Sequence, residues 1–334
     1  MRGRARARVG ATRCGSPGPL AYTLGLALAA CGGHPRIDQP PLTAPAGFET
    51  LAGARDVPLQ FSASMPSGEP RGVIYFVLGP EIGRHAPYPE FRAMAHDAGY
   101  VVASLHPRGS GYSAGLRGDI RRYPLVLDDL RLGWEELARR FPDTPRFLFG
   151  HSAGGPLALE VAATSDVAPT GVILINPAYR LRFAEGMGPS ARDYFVYALN
   201  FIFRPWALTV DMNREPSAVR FEPDRLEAEG MHADPLVVRY FSLRYLSAQR
   251  RVMKRSSKNA AKVRAPILVV QGHHDALVDP AGNDEILDAA PTTDKRKLIA
   301  AEGGHGSSAV ETKVEALLNW LDEHSGHGGV QSTR

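Results

Sequence analysis

The sequence predicts an α/β protein in which a doubly wound, mostly parallel sheet carries an inserted helical cap. The first observation behind this prediction is a series of short apolar runs, rich in β-branched and aromatic residues. Continuous apolar runs of this length are typical of strands that are buried on both faces of a parallel sheet. The runs are Gly72–Gly79, Tyr100–Pro107, Arg146–Ser152, Gly171–Asn176, Pro266–Gly272 and Lys297–Ala301.

The second observation is that amphipathic segments separate these runs, as helices separate the strands of a doubly wound sheet. They are Pro89–Ala98, Leu125–Arg140, Gly154–Thr164, Ala281–Ala290 and Ala309–His324. The alternation stops over residues 178–263, where the pattern is helical throughout. An insertion there would cover the carboxyl edge of the sheet, where open α/β sheets bind ligands. The predicted organisation is a core over 55–177 and 264–324, a helical cap over 178–263 and a disordered tail over 325–334.

The first 30 residues have the pattern of an export signal. Five arginines precede an apolar run, Leu20–Ala30, that is too short to span a bilayer as a helix. The run ends in Leu28-Ala29-Ala30-Cys31, which resembles the lipobox of bacterial lipoproteins. The resemblance implies cleavage before Cys31, lipid attachment to Cys31 and export to the cell envelope as a membrane-anchored protein. A secretory signal cut after Ala-x-Ala and an uncleaved anchor are the alternatives.

The rest of the chain lacks the basic charge of a nucleic-acid-binding protein. The net charge of the 334 residues is +4, and without the five amino-terminal arginines the remainder stands at −1. We therefore expect no nucleic-acid partner. Residues 31–54 are rich in proline and glycine, which predicts a flexible tether. The only cysteines, Cys14 and Cys31, precede the predicted core, so a disulfide within the core is excluded.

A candidate nucleophile lies between a predicted strand and a predicted helix. Residues 150–154 read Gly-His-Ser-Ala-Gly, a G-x-S-x-G sequence centred on Ser152. A sharp strand-to-helix turn needs small flanking residues, and it directs the serine hydroxyl into the cleft. It also places the N–H of Ala153 at a helix start, where it can bind a developing oxyanion.

A serine hydroxyl needs a base, and the base needs an orienting acid. Asp275 follows the run that ends at Gly272, and His305 follows the run that ends at Ala301. These residues occur in the order serine, acid, histidine. Asp279 is the alternative acid, but Asp279-Pro280 has the pattern of a helix N-cap, so Asp275 is favoured.

Beyond these residues, the chain resembles the α/β-hydrolases that include monoacylglycerol lipases, lysophospholipases and serine aminopeptidase-like proteins. Residues 107–113, Pro-Arg-Gly-Ser-Gly-Tyr-Ser, resemble the family's Arg-Gly-x-Gly-x-Ser loop, and Asp234-Pro235-Leu236-Val237 resembles a short cap sequence. The resemblance spans about residues 55–325 and implies the α/β-hydrolase fold. It makes Ser152 the nucleophile, Asp275 the orienting acid and His305 the base.

Two positions depart from that family pattern. The family's oxyanion donor follows a His-Gly pair, whereas this chain has Leu78-Gly79-Pro80, and proline has no N–H. Either Glu81 supplies the amide after a local shift, or the enzyme is weak, or its chemistry differs. The second departure is His106, where the family usually has an aspartate of structural importance.

The expected substrate contacts come from the resemblance and from an aromatic stretch in the cap. We expect Leu78, His151, Phe201 and Trp206 to contact substrate. The aromatic residues of 194–206 would line an acyl tunnel or touch a bilayer, or only pack the cap. The basic run 250–264 is typical of a solvated helix face, with anionic lipid as the lesser alternative. His273 and His274 are adjacent and lack the spacing of a helical zinc motif, so we expect no metal.

The predicted function is hydrolysis of a carboxylic ester through an acyl-enzyme, without metal or cofactor. The family resemblance favours a small-molecule acyl ester or lipid, such as a monoacylglycerol or lysophospholipid. One alternative is an aminopeptidase-like enzyme whose cap acids hold the substrate amine. Those acids are Glu215, Glu222, Asp224, Glu227 and Glu229. The other is a non-catalytic surface lipoprotein that only binds, which the proline at position 80 favours. The sequence does not predict an oligomeric state.

Overall fold

A computed structural model describes five stretches of the chain, residues 33–80, 82–84, 87–182, 190–212 and 219–326. The predicted export signal, Cys31, Glu81 and Glu215 lie outside the described residues, as does most of the predicted tail. The described tail residues Ser325 and Gly326 follow the last helix directly, and Ser325 is buried.

The centre of the molecule is an eight-stranded sheet in the order β1-β2-β4-β3-β5-β6-β9-β10. The strands from β4 to β10 run parallel, whereas β1 pairs antiparallel with β2 and β2 antiparallel with β4. At the far edge, β10 begins with three basic residues. The strands are β1 (Phe48–Gly53), β2 (Val57–Ser64), β3 (Gly72–Val77), β4 (Tyr100–His106), β5 (Arg146–His151), β6 (Gly171–Ile175), β9 (Ile267–Gly272) and β10 (Lys295–Ala300).

Helices cover both faces of this sheet. Consecutive side chains of β3 point to opposite faces and belong to separate apolar clusters. Tyr75 packs in one cluster with Trp134 of the helix Pro124–Arg140, and Phe76 packs in the other with Phe91 of the helix Pro89–Asp97. The apolar runs at the centre of the sheet therefore form strands buried on both faces, and the predicted doubly wound sheet is confirmed. The core helices are α1 (Pro89–Asp97), α2 (Pro124–Arg140), α3 (Gly154–Thr164), α8 (Pro280–Ala289), α9 (Ser308–Glu311) and α10 (Val314–His324).

The prediction of a flexible tether over 31–54 is wrong at its carboxyl end, because residues 48–53 form the edge strand β1. An edge strand buries only part of its surface, so its apolar pattern was too weak to stand out beside the proline and glycine. The preceding residues also contact the body of the protein. The N–H groups of Gly115 and Arg117 donate to the carbonyls of Asp38 (2.9 Å) and Ile37 (2.8 Å).

The sequence predicted a wholly helical cap, and this prediction is wrong in one respect. Two short strands, β7 (Leu208–Asp211) and β8 (Tyr240–Ser242), form an antiparallel pair within it. Strands of four and three residues are too short to produce a recognisable periodic pattern. The cap helices are α4 (Ala191–Phe203), α5 (Glu222–Ala233), α6 (Leu243–Met253) and α7 (Ser256–Ala260). None of the helices in the described stretches is long and apolar enough to cross a membrane.

Candidate active site

Ser152 lies in a strained turn between β5 and α3. Its φ is 49°, in the left-handed region that side chains other than glycine rarely adopt. Hydrogen bonds hold this conformation, because the Ser152 N–H donates to the Ile175 carbonyl (2.9 Å) and the Ser152 carbonyl accepts from Ala178 (2.9 Å). A Cβ on Gly150 would overlap the carbonyl of Gly154. The small residues of the G-x-S-x-G sequence are thus required by close backbone contacts.

The structure brings the three predicted triad residues into one hydrogen-bonded chain. Asp275 lies in the loop after β9 and His305 in the loop after β10. Asp275 Oδ2 is 2.8 Å from His305 Nδ1, and His305 Nε2 is 2.8 Å from Ser152 Oγ. The arrangement can remove the serine proton in one step and stabilise the resulting imidazolium.

Burial and charge act in opposite directions on the acid and the base. Burial opposes ionisation of Asp275, but His305 and the N–H groups of Leu277 and Val278 outweigh it and lower the pKa of the carboxyl. Burial likewise disfavours the charged form of His305, but the bond to Asp275 and nearby carboxylates raise its pKa above the ordinary value. Asp275 is therefore an anion at neutral pH, and the imidazolium that forms during proton transfer is stabilised.

Asp279, the alternative acid, has another place in the structure. Its carboxylate accepts from the N–H of Ala281 (3.1 Å) at the start of α8 and pairs with Arg180 (3.5 Å). Asp279 is therefore the N-cap that its sequence context predicted.

Asn176 joins the loops of the acid and the base, and sequence reasoning missed it. Its side-chain amide donates to the carbonyls of Gly304 (2.9 Å) and His305 (3.0 Å), and its Oδ1 accepts from the N–H of Gly272 (2.8 Å). Asn176 is fully buried, with φ 40°. Its position at the end of β6, between the two loops, was the available sequence signal.

His151 supports the base loop, which is the segment 301–307 between β10 and α9 that carries His305, from the side of the nucleophile. Its Nε2 lies 2.6 Å from the His305 carbonyl, and its ring packs edge-on against Tyr88. Burial and the nearby His305 lower the pKa of His151 to about 3, so the neutral ring donates Nε2–H to that carbonyl. Its predicted contact with substrate stays a prediction.

The oxyanion region lies where the end of β3 meets the start of α3. Ala153 is the N-cap residue of α3, and a Cβ on Gly154 would overlap the carbonyl of Val77. Pro80 follows Val77 by three residues and is buried, and as a proline it offers no N–H. The predicted substitute, Glu81, lies outside the described residues, so the second donor stays a prediction.

The other predicted substrate contacts differ in their surroundings. Leu78 is partly buried against the apolar cluster on one face of the sheet. Phe201 and Trp206 leave 53 % and 44 % of their surface exposed. Contact of these three side chains with substrate also stays a prediction.

The cap acids that were candidates for binding a substrate amine are engaged elsewhere. Asp224 accepts from the N–H groups of His305 (2.6 Å) and Gly306 (3.0 Å), and Glu227 accepts from that of Ser307 (2.7 Å). The other two described acids, Glu222 and Glu229, pair with Arg225 on the same helix.

The Arg-Gly-x-Gly-x-Ser loop has a structural role. Arg108 makes a buried ion pair with Asp129, donating through Nε at 2.7 Å and Nη2 at 2.6 Å. His106 Nδ1 accepts from the Tyr112 N–H (3.1 Å), and burial together with nearby arginines lowers its pKa to about 3. Neutral His106 can therefore fill the position that usually holds an aspartate, because it accepts a backbone hydrogen bond.

The remaining sequence features also make structural contacts. Asp234 of the cap sequence accepts from the N–H groups of Arg84 (2.6 Å) and Leu236 (2.9 Å). In the basic run, Arg255 pairs with Glu160 at 3.0 Å. No group of three or more His, Cys, Asp or Glu side chains that could hold a metal occurs within the described residues.

Comparisons with known proteins find a matching family model and several similar sequences. A family model described as serine aminopeptidase, S33, matches residues 68–309. The chain is 27 % identical over 237 residues to monoglyceride lipase of Mus musculus, covering 69 % of this chain and 74 % of that protein. It is 28 % identical over 249 residues to monoacylglycerol lipase of Mycolicibacterium smegmatis, covering 73 % and 85 %. It is 32 % identical over 197 residues to a phospholipase of Bacillus subtilis, covering 58 % and 73 %.

Solved structures are similar over most of this chain. A soluble variant of monoglyceride lipase from Saccharomyces cerevisiae matches with a TM-score of 0.68 and 20 % identity, covering 87 % of this chain and 99 % of that one. Monoacylglycerol lipase from Paleococcus ferrophilus matches with a TM-score of 0.62 and 23 % identity, covering 79 % and 99 %. With the sheet order above, these matches show that the chain has the predicted α/β-hydrolase fold.

Proposed function

Since this chain belongs to the serine aminopeptidase S33 family, we propose that it is a serine hydrolase that cleaves carboxylic esters of fatty acids. The observation that carries the proposal is the hydrogen-bonded chain from Asp275 through His305 to Ser152. The relatives named monoglyceride lipase and phospholipase favour a monoacylglycerol or lysophospholipid as substrate.

The proposed reaction has two steps through one acyl-enzyme. Ser152 Oγ attacks the ester carbonyl while His305 Nε2 takes its proton, and Asp275 stabilises the imidazolium. His305 then gives the proton to the departing alkoxide, which leaves as an alcohol. Water repeats the attack on the acyl-enzyme with His305 as base and releases the acid and free Ser152. Each step transfers only protons and the acyl group, so the proposed reaction needs no metal or organic cofactor.

The oxyanion would be stabilised by the Ala153 N–H, whose position at the start of α3 adds the favourable helix dipole. A second donor from residues 79–81 completes the proposed hole. Losing one such donor typically costs about a hundredfold or more in turnover, so the identity of this donor determines how active the enzyme is.

The peptidase alternative is less well supported than esterase activity. A peptidase of this type would need a carboxylate free to hold the substrate amine. Among the cap acids that the structure describes, Asp224 and Glu227 instead bind backbone N–H groups, while Glu222 and Glu229 pair with Arg225. The non-catalytic alternative has no use for an aligned Ser-His-Asp chain.

We also propose that the protein acts at the cell envelope as a lipoprotein attached through Cys31. Gly33 lies against the carboxyl end of α4, where a Cβ would be 3.4 Å from Ala207 and 3.7 Å from the Arg204 guanidinium. On α4, Phe195 and Ile202 leave 65 % and 68 % of their surface exposed. A lipid on Cys31 would therefore enter the membrane beside this apolar helix. Lipid incorporation that survives Cys31→Ser would contradict this localisation.

The first experiment is fluorophosphonate labelling of the protein from residue 32 onward, beside Ser152→Ala. Labelling that depends on Ser152 identifies an activated serine, and a folded protein that does not label would contradict the proposed chemistry. A panel of monoacylglycerols, lysophospholipids and aminoacyl amides then separates the alternatives. Preferential hydrolysis of aminoacyl amides would favour the peptidase.

A further inference from the structure

One cap helix reaches the loop that carries the catalytic base. Asp224 of α5 accepts hydrogen bonds from the His305 and Gly306 N–H groups, and Glu227, one turn later, accepts from Ser307. Three consecutive amides of the base loop are therefore bound by two carboxylates of the cap. We propose that Asp224 and Glu227 are positioning residues through which the cap fixes the catalytic base; this inference rests on the proposed serine-hydrolase function.

The base loop has a composition that fits these carboxylates. A Cβ on Gly304 would overlap the carboxylate of Asp224, and one on Gly306 would overlap that of Glu227. Glycine at both positions lets the helix approach the loop backbone closely. The contact therefore depends on matched residues in two segments that are about 80 positions apart in sequence.

The same helix end also contacts the loop of the acid. The ring of Phe221, the N-cap residue of α5, stacks on His274 with 4.8 Å between ring centres and 17° between planes. His274 directly precedes Asp275, and its N–H donates to the carbonyl of Gly303 in the base loop (2.9 Å). The amino-terminal end of α5 is thus in contact with both loops that orient the imidazole.

The two carboxylates bring negative charge close to the base. Arg225, the cation between them on α5, pairs with Glu222 and Glu229 instead. Neutral N–H groups bind Asp224 and Glu227, so their charge is not cancelled at the contact. A carboxylate near an imidazole favours its protonated form, the form that His305 takes as the serine proton moves.

Four groups bear on the protonation of His305. Burial lowers its pKa, and the hydrogen bond to Asp275 is the largest opposing influence, followed by the charge of Asp275 and then by the charges of Asp224 and Glu227. His151, packed against the base with 5.2 Å between ring centres, stays neutral because its own pKa is about 3. The cap acids therefore add to an effect that the core acid begins.

The test compares Asp224→Asn with wild type in the rate of fluorophosphonate labelling of Ser152 across pH. This probe reacts with the free enzyme and has no ionisable group in the relevant range. Without the carboxylate charge the imidazolium is less stable, so labelling should rise at a lower pH. The expected shift of the midpoint is on the order of 0.5 to 1 pH unit, with a slower plateau rate.

Glu227→Gln is the second variant and should shift the midpoint in the same direction by less. Glu229→Gln is the matched control, because Glu229 lies on the same helix but pairs with Arg225; its midpoint should equal that of wild type. If Asp224→Asn is slower or less stable but the midpoint of its pH profile does not move, the two acids only stabilise the structure, and the inference is overturned. If Asp224→Asn does not fold, an unmoved midpoint in Glu227→Gln has the same meaning. Wild-type protein that does not label would instead overturn the proposed function, and this inference with it.

Discussion

The nucleophile and the base of this site are held in place by different parts of the molecule. Ser152 is fixed beside the sheet, through the β5–α3 turn and its hydrogen bonds to Ile175 and to Ala178, which lies just after β6. His305 is held from two sides, by Asn176 of the core and by Asp224 of the cap. The backbone strain at Ser152 is supported by the sheet on one side and the 11-residue helix α3 on the other, whereas the base loop lies between the edge strand β10 and the four-residue helix α9.

The difference indicates which properties of the site depend on which region. The position of the serine oxygen follows from the fold, because close backbone contacts around the turn leave no freedom. The position and charge state of the imidazole depend on side chains contributed by four separate segments. Variation of the cap can therefore tune the base without disturbing the nucleophile.

The largest effect is expected where the two regions meet, at the His305 imidazole. His305→Ala leaves the strained serine turn intact but removes its base, so fluorophosphonate labelling of Ser152 should fall by roughly 10⁴-fold or more. The far-ultraviolet circular dichroism spectrum should be unchanged, which controls for folding. Rapid labelling of His305→Ala would mean that another group activates the serine.

The core support of the base loop is tested by Asn176→Ala. The change removes three buried hydrogen bonds and places alanine at a positive φ, so it should lower the free energy of unfolding by about 3 kcal/mol. Asn283→Ala is the matched control, because Asn283 is equally buried but makes one long hydrogen bond of 3.4 Å. Equal losses of stability in chemical denaturation would show that Asn176 has no special role.

On the nucleophile side, the oxyanion region is tested by Pro80→Ala. If Pro80 occupies the donor position, a restored N–H should raise kcat for a monoacylglycerol by about 10-fold. This is less than the roughly hundredfold effect of a preorganised donor, because the new N–H would not be held in the ideal position. A lower kcat would instead indicate that the proline holds the loop so that a neighbouring amide can donate.

The smallest expected effect is the displacement of the pH profile of the wild-type protein. His305 accepts the proton only when neutral, so labelling should be slow below its pKa and rise as the pH increases through it. Because that pKa is raised above 6.5, the midpoint should lie above pH 6.5. His151, with a pKa of about 3, does not titrate in this range. A midpoint below 6.5 would mean that burial outweighs the nearby carboxylates.

The sheet could be predicted from the sequence because its central strands are buried on both faces and therefore read as continuous apolar runs. The triad residues follow those runs, and the carboxyl ends of parallel strands meet at one edge. Ser152, Asp275 and His305 could be placed together for that reason, combined with the G-x-S-x-G sequence and the order of the three residues along the chain. The half-exposed β1 and the short pair β7–β8 have no comparable pattern.

The support of the base loop could not be predicted in the same way. Asp224 and Glu227 bind backbone N–H groups, and the only trace of this contact in the partner loop is glycine at positions 304 and 306, which does not by itself indicate a carboxylate partner. Their acidic character pointed equally well to a substrate amine. Asn176 was hidden for a similar reason, since its amide also bonds to main-chain atoms.

The edge strand β10 has a consequence for how copies of the protein coexist. An open parallel edge offers unpaired backbone groups to any other strand, and charged side chains discourage such pairing. Lys295, Arg296 and Lys297 begin this edge, and the last two pair with Glu323 and Asp284 of the protein's own helices. These charged side chains would disfavour edge-to-edge pairing of the sheet with the sheet of another copy, an effect of β10 that does not involve the site at the carboxyl end of the sheet.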